Sequence, residues 1–254
     1  MLLYGFWWEP DSLRLHEYDI ALDVPALKGL SIAVIADLHA GAPYIDAAKI
    51  DRVVAATNAA RPDLILLAGD YVSDRADGSL RLPLDVIAEH LKGLDAPLGV
   101  YAVLGNHDMT VGRRRVTAAL GRAGILTLRD AHVAIGRAAG TVVIAGFGDP
   151  PRLTRALAGL DGARALCLMH RPDPFVHLPA TCALTIAGHT HGGQVALPLV
   201  QGWAMARASS LGVRYARGVI RENGHVLFVS PGIGTSSVPV RLGVPPEISL
   251  LRIE

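Results

Sequence analysis

The run Leu30-Ser31-Ile32-Ala33-Val34-Ile35-Ala36, followed at once by Asp37-Leu38-His39, sets the reading of the chain. A nearly unbroken apolar run of strand length, with no polar alternation, suits a strand buried on both faces. The polar triplet marks where that strand leaves the core. The same grammar recurs. Residues 64–68 run into Gly69-Asp70, 100–104 into Gly105-Asn106-His107-Asp108, 165–169 into His170, and 183–187 into Gly188-His189-Thr190-His191. Residues 142–147 and 226–229 are further runs, and 248–253 is a last strand-like segment.

Helical patterns lie between the early runs. Residues 45–60 place Ile50, Val53, Val54 and Thr57 on one face, with Asp46 as N-cap and Pro62 just past the end. Residues 82–94 and 114–123 read the same way, the second stopped by Gly124. Strands alternating with helices predict an α/β layered domain. Residues 194–221, rich in Gly, Arg and Ala, are weakly periodic, and Pro231-Gly232, Pro239 and Pro245-Pro246 punctuate the tail as loops. No repeat or linker divides the chain. The expectation is one domain over 1–254, with its core at 28–254 and an N-terminal extension at 1–27.

A net charge of +1 on 254 residues gives no footprint for nucleic acid. The distribution is uneven: residues 1–110 carry 8 basic and 16 acidic side chains, and residues 111–254 carry 16 and 7. The basic part suits an anionic substrate or lipid, or simply a solvated arginine-rich surface. Arg113-Arg114-Arg115 reads as a solvated helix start. Cys167 and Cys182 sit in apolar runs without metal-type spacing and read as buried free thiols, which suits a reducing compartment. No stretch reaches the ~18 apolar residues of a membrane span, and the start, Met1-Leu2-Leu3-Tyr4-Gly5-Phe6-Trp7-Trp8, lacks the marks of a signal peptide. A cytoplasmic protein is expected. The Phe and the two Trp of that start are expected to pack on the domain or a sheet edge, with peripheral contact to the inner membrane as the alternative.

The five polar clusters carry the chemistry. Ligands of open α/β sheets bind beyond the carboxyl ends of the strands, so clusters far apart in sequence can converge on one rim. Strand alternation is expected to turn Asp37 and His39 to one side, with Leu38 to the core, and to present His189 and His191 together. Gly69 and Gly105 allow sharp turns and close backbone approach. Each signal alone is weak. A Gly-Asp is often a turn, and an isolated histidine such as His16, His90, His132, His177 or His225 is a structural or surface residue. Together, in this order and each at a strand end, they supply seven O and N groups suited to two divalent ions, with one histidine left over. Carboxylates and imidazoles in one site favour zinc, iron or manganese.

At this point the chain resembles the calcineurin-like metallophosphoesterases, whose pattern runs Asp-x-His, Gly-Asp, Gly-Asn-His-Asp/Glu, a single His, then Gly-His-x-His. Gly188-His189-Thr190-His191-Gly192-Gly193-Gln194 and the tail Pro231-Gly232-Ile233-Gly234-Thr235-Ser236, followed by Pro245-Pro246-Glu247, resemble its bacterial subgroup of small phosphodiesterases. Some members of that subgroup are tied to the cell envelope or to lipid A precursors. The resemblance covers roughly residues 28–254. It implies a layered β-sandwich flanked by helices (α/β/β/α) with a dimetal site at the strand ends. It also implies that Asp37, His39 and His191 hold one ion, that Asn106, His170 and His189 hold the other, and that Asp70 bridges them. In such a site a metal-bridging hydroxide attacks the phosphorus of a phosphodiester or pyrophosphate. His107 is then the phosphate-binding group and general acid, with Asp108 orienting it; an imidazole suits proton transfer near pH 7. Arg171 stands where relatives often carry Asn, either reaching substrate phosphate or making an ion pair. Two alternatives accompany this reading: an envelope hydrolase of lipid-linked pyrophosphates (UDP-diacylglucosamine type), and a non-catalytic binding platform of the same fold. The substrate is a small-molecule or lipid phosphodiester or pyrophosphate in the leading reading and in the envelope-hydrolase alternative.

Overall fold

Within Ser31–Ile35, Ile32 and Val34 turn to one core while Ala33 and Ile35 turn to another, and all four are buried. This is the double burial that an unbroken apolar run predicts. The computed structural model describes residues 3–74, 80–236 and 238–254. The first sheet draws β1 (Arg14–Ile20), β2 (Ser31–Ile35), β3 (Leu64–Leu67), β4 (Val100–Ala102) and β5 (Leu126–Thr127) from the first half of the chain. The second consists of β6 (Ala131–Arg137), β7 (Gly140–Gly146), β8 (Ala165–Leu168), β9 (Cys182–Ala187), β10 (Gly218–Glu222) and β11 (His225–Val229). The last strand, β12 (Glu247–Ile253), returns to the first sheet.

The strand orders are β1-β12-β2-β3-β4-β5 and β10-β11-β9-β8-β7-β6. The strands β2 to β5 run parallel, as do β7, β8, β9 and β11. Antiparallel pairings of β12 with β2, β6 with β7, and β10 with β11 make both sheets mixed. Ile32, Val34, Leu64 and Leu66 of the first sheet share one core with Ile144, Leu166, Leu184 and Ile186 of the second, so the sheets pack face to face.

Helices α1 (Ala47–Ala59), α2 (Leu84–Leu91) and α3 (Asn106–Arg122) cover the outer face of the first sheet, where Ile50, Val53, Ile87 and Leu120 pack on Ala33, Ile35 and Leu67. The Asp46 side chain caps α1, accepting from Lys49 N at 2.8 Å. The third helix opens at Asn106 rather than at 114, because Gly112, with φ 122°, breaks its periodicity. The outer face of the second sheet carries shorter turns, among them Asp173–His177 and Val213–Tyr215, whose Phe175 and Tyr215 share a core with Val143, Cys167 and Leu227. The weakly periodic stretch holds one helix, α4 (Pro198–Ala208). The architecture is the α/β layered domain that the alternating strands and helices predict, in the form of the layered sandwich with flanking helices that the resemblance implies.

Three expectations change. Residues 14–20, read as part of an extension, form β1, which pairs parallel with β12 from Arg14↔Glu247 to Ile20↔Ile253. Cys167 and Cys182 are not free thiols. They lie on the neighbouring strands β8 and β9 with Cα atoms 5.5 Å apart, and their sulfurs are bonded. The argument that free thiols gave for a reducing compartment therefore falls away. The aromatic start does not pack inward either. In the helical turn Tyr4–Trp8 it is Gly5, and Glu9 beyond it, that are buried, which turns Trp7 and Trp8 outward; Met1 and Leu2 lie outside the described residues. The disulfide closes a loop with a sequence separation of 15. Removing it through a Cys167→Ser, Cys182→Ser pair is expected to cost about 2–3 kcal/mol. Calorimetry should show Tm falling by roughly 5–10 °C; an unchanged Tm would contradict the bond's role.

Candidate metal centre

The five clusters meet beyond the carboxyl ends of β2, β3, β4, β8 and β9. Their backbone is not extended there. Asp37, His39, Asp70, His189 and His191 take φ between 46° and 71°, and they are five of the ten non-glycine residues with positive φ among the described residues. Left-handed conformations cost such residues about 1–3 kcal/mol each and persist where the surroundings hold them. Here the holding contacts are Asp37 N to Gly69 O at 3.0 Å, His39 N to Asp70 O at 2.9 Å, and His189 N to both Asp37 oxygens at 3.0 and 2.9 Å. Strand alternation therefore does not set the side chains. A left-handed turn brings Asp37 and His39 together while Leu38 enters the core, and the same geometry sends His189 and His191 to different partners.

Three sets of donors result among the described residues, two of them made of the expected ligands. In one, Asp37, His39 and His191 have ligand atoms within 4.8 Å of one another. In the other, Asp70, His170 and His189 do the same, and Asn106 Oδ1 lies 3.1 Å from His170 Nε2. Asp70 joins the two groups: its Oδ2 is 3.2 Å from His170 Nε2 and 3.6 Å from His39 Nε2. Its Oδ1 accepts from His107 N at 2.9 Å. Gly105 is required beside it, because a Cβ at that position would overlap the Asp70 carboxylate.

The donor chemistry fits cations. His170 Nδ1 donates to Ala68 O at 2.8 Å, which turns Nε2, the nitrogen that an ion would displace a proton from, toward Asp70, Asn106 Oδ1 and His189 Nδ1. His191 Nδ1 likewise faces Gly234 O at 3.2 Å, while its Nε2 faces His39 Nε2 at 3.2 Å. Burial lowers the His39 pKa to about 4 and that of His191 well below the ordinary value, so both rings are neutral. Neutral imidazoles facing each other through Nε2 are in the form that holds a cation. Burial, reinforced by the Asp70 carboxylate, pushes Asp37 up to about 7. At His170 burial works downward, but the Asp70 carboxylate prevails and carries the ring up to about 10, another sign that this point calls for positive charge.

His107 adjoins both groups: one of its ring nitrogens lies within 4.8 Å of donor atoms of His39 and Asp70, and the ring, half-buried, is edge-on to His39 at 4.8 Å between centroids. The carboxylate on its Nδ1 is Asp74 Oδ1, at 3.0 Å. Asp108 has a different task from the orienting one expected of it. As the third residue of α3 it reaches back to the helix start, accepting from Gly105 N at 2.8 Å, Asp70 N at 2.8 Å and Tyr71 N at 2.9 Å. It thereby fastens the Gly69-Asp70 turn to the helix that carries Asn106 and His107.

Arg171 makes the ion pair among its two expected roles, with Nε 3.0 Å from Asp149 Oδ2, and its guanidinium also lies 2.9 Å from His189 Nε2. Nothing in the sequence pattern marked Arg241. It is fully buried, donates to Pro231 O and Val244 O at 2.9 Å each, and places a guanidinium nitrogen 3.5 Å from His191 Nδ1. The sequence pattern does not mark Asp74 either, beyond its place four residues past Asp70 in the loop that follows β3. Of the remaining histidines, His16 and His90 pair with Glu247 and Asp51, and His132 bonds Ala156 O.

Comparison with known proteins agrees with this geometry. A family model described as calcineurin-like phosphoesterase matches residues 30–193. An uncharacterized metallophosphoesterase of Aquifex aeolicus (strain VF5) is 30% identical over 255 residues, covering 95% of this chain and 92% of that one. Phosphodiesterase YaeI of Escherichia coli (strain K12) is 28% identical, with 98% and 92% covered. Among solved structures, TT1561 of Thermus thermophilus shares the fold at a TM-score of 0.51 and 13% identity, over 81% of this chain and 91% of that one. The chain belongs to the calcineurin-like phosphoesterase family, hydrolases of phosphoric esters that use a dimetal centre.

Proposed function

We propose that this chain hydrolyses phosphodiester or pyrophosphate bonds, with Asp37, His39 and His191 holding one divalent ion, Asn106, His170 and His189 a second, and Asp70 both. The observation that carries the reading is the placement of Asp70 Oδ2 between His39 and His170, one carboxylate oxygen shared by two donor groups. Manganese, zinc and iron all suit the N and O set. When bound, the ions supply positive charge to the phosphoryl oxygens and acidify the attacking water.

The chain's own residues do the rest. His107 Nδ1 faces Asp74 and is assigned as the donor, which leaves Nε2 free; in the imidazolium form an Nε2–H would bind a phosphoryl oxygen and then pass its proton to the departing oxygen. Asp74 holds that ring in the useful tautomer. Asp108 keeps the start of α3 against the Asp70 turn, so the acid and the bridging carboxylate stay in register. The exposed Trp7, Trp8 and Trp203 favour a second substrate reading, a pyrophosphate carried by a lipid.

Hydrolysis of bis(p-nitrophenyl) phosphate with added Mn²⁺, alongside metal content by elemental analysis, tests the proposal. Turnover with two ions per chain is expected. Fewer than one ion per chain after loading would favour a binding platform instead. A panel of soluble and lipid-borne pyrophosphates separates the two substrate readings. Asp74→Asn is expected to lower kcat by about tenfold, with metal content unchanged, because the ring keeps its place but loses a charged partner. Equal kcat for this variant would remove Asp74 from the account.

A further inference from the structure

All three tryptophans of the chain stand in solvent: Trp7, Trp8 and Trp203 are 71%, 73% and 66% exposed. Such large apolar side chains normally bury most of their surface, so their joint exposure marks a contact face. Trp7 and Trp8 project from the turn Tyr4–Trp8. Trp203 projects from α4 one turn beyond Leu199, which is 91% exposed.

The two elements flank one segment. Arg241 N donates to Gly5 O at 2.9 Å on one side. On the other, Leu242 N donates to Gln194 O at 2.9 Å and Ala196 N to Leu242 O at 2.7 Å, just ahead of α4. That segment adjoins the metal centre through Arg241 and His191. The helix adjoins it too, since Gln201 Nε2 donates to Gly192 O at 3.0 Å.

Arginine predominates in the sequence around the helix of this face. Residues 174–221 contain no acidic side chain and four arginines, Arg207, Arg214, Arg217 and Arg221. The Arg207 guanidinium lies over the Trp203 ring, 5.1 Å from its centroid. Arg217 is exposed, and Arg214 pairs with Glu222 at 3.2 Å.

We propose that the Tyr4–Trp8 turn and α4 form a docking face for an anionic lipid bilayer beside the metal centre. Trp7, Trp8, Leu199 and Trp203 enter the interface, and Arg207 and Arg217 meet headgroup phosphates. Charge selects this occupant over a second copy of the chain. A two-fold contact through this face would set arginine against arginine, whereas an anionic bilayer satisfies the aromatic and the cationic groups at once. The face adds a place of work to the lipid-borne substrate reading. Vesicle binding is measured without turnover, so either can fail alone.

The metal-loaded chain is sedimented with phosphatidylglycerol vesicles and, in parallel, with phosphatidylcholine vesicles, while tryptophan emission is recorded. Binding to the anionic vesicles with a blue shift, weakening as salt rises, is expected. A Leu199→Ser, Trp203→Ser pair should bind at least about tenfold more weakly, and Arg207→Gln roughly fivefold more weakly. Native-like far-UV circular dichroism and an unchanged Tm show that these variants fold. The proposal is overturned if the native chain stays in the supernatant at low salt, or if the variants sediment as well as it does. It is equally overturned if light scattering shows a dimer that Leu199→Ser, Trp203→Ser splits while vesicles go unbound.

Discussion

Replacing Asp70 by asparagine is expected to lower kcat/KM by about a thousandfold or more and to leave the chain with at most one tightly held ion. The argument is local. Asp70 Oδ1 accepts from His107 N at 2.9 Å, so the carbonyl oxygen of an asparagine takes that place and its NH2 falls where Oδ2 now stands. There it points a donor at the lone pairs of His170 and His39, where a cation should sit. Charge loss compounds the geometry. Unit charges 4 Å apart interact by about 4 kcal/mol at an effective dielectric of 20, and two dications repel by about four times that. A neutral amide offsets none of this. The metal-free Asp70→Asn protein should still fold but melt below the native metal-free chain, because it loses the buried Asp70–His170 ion pair and His170 reverts to a neutral ring that the amide can donate to. Elemental analysis and thermal melts together check the prediction. Two retained ions with near-native turnover would refute the bridging role.

Much of this site was legible because its physics is local. A strand buried on both faces must be apolar throughout, and Leu30 to Ala36 is nearly so. Such a strand must shed its polar residues at its end, which is where Asp37, Asp70, Asn106, His170 and His189 stand. The left-handed backbone that aims five of these residues has no comparable signature. Asp and His tolerate that conformation, but the sequence does not announce it. Edge strands were also hidden. The strand β1 is exposed along most of its length and finds its partner β12 from the far end of the chain, so no apolar run betrays it. The Cys167–Cys182 bond depends on β8 and β9 being neighbours in space, which spacing alone does not reveal. The same holds for Asp108. Its place beside His107 in sequence suggested a partnership, yet at the third position of a helix its carboxylate turns to the amides at the helix start.

His107→Asn is expected to keep both ions and still lose about a hundredfold to ten-thousandfold in kcat toward substrates with poorly acidic leaving groups. The ring contacts His39 edge-on and Asp74 through Nδ1, while its backbone N–H holds Asp70; an asparagine keeps that backbone bond and gives up the imidazole. Metal content should therefore stay at the native level, unlike that of Asp70→Asn. The leaving group separates the two roles that an imidazole here could play. An alkyl alcohol departs slowly without a proton, whereas p-nitrophenolate departs nearly as well without one. If His107 is the acid, the loss is large for an alkyl phosphodiester and small for bis(p-nitrophenyl) phosphate. If it serves only to bind a phosphoryl oxygen, both substrates lose alike. Kinetics on the pair, with metal content measured on the same preparations, decides between them. Equal losses would leave Asp74 orienting a phosphate-binding ring and would send the search for the acid elsewhere in the site.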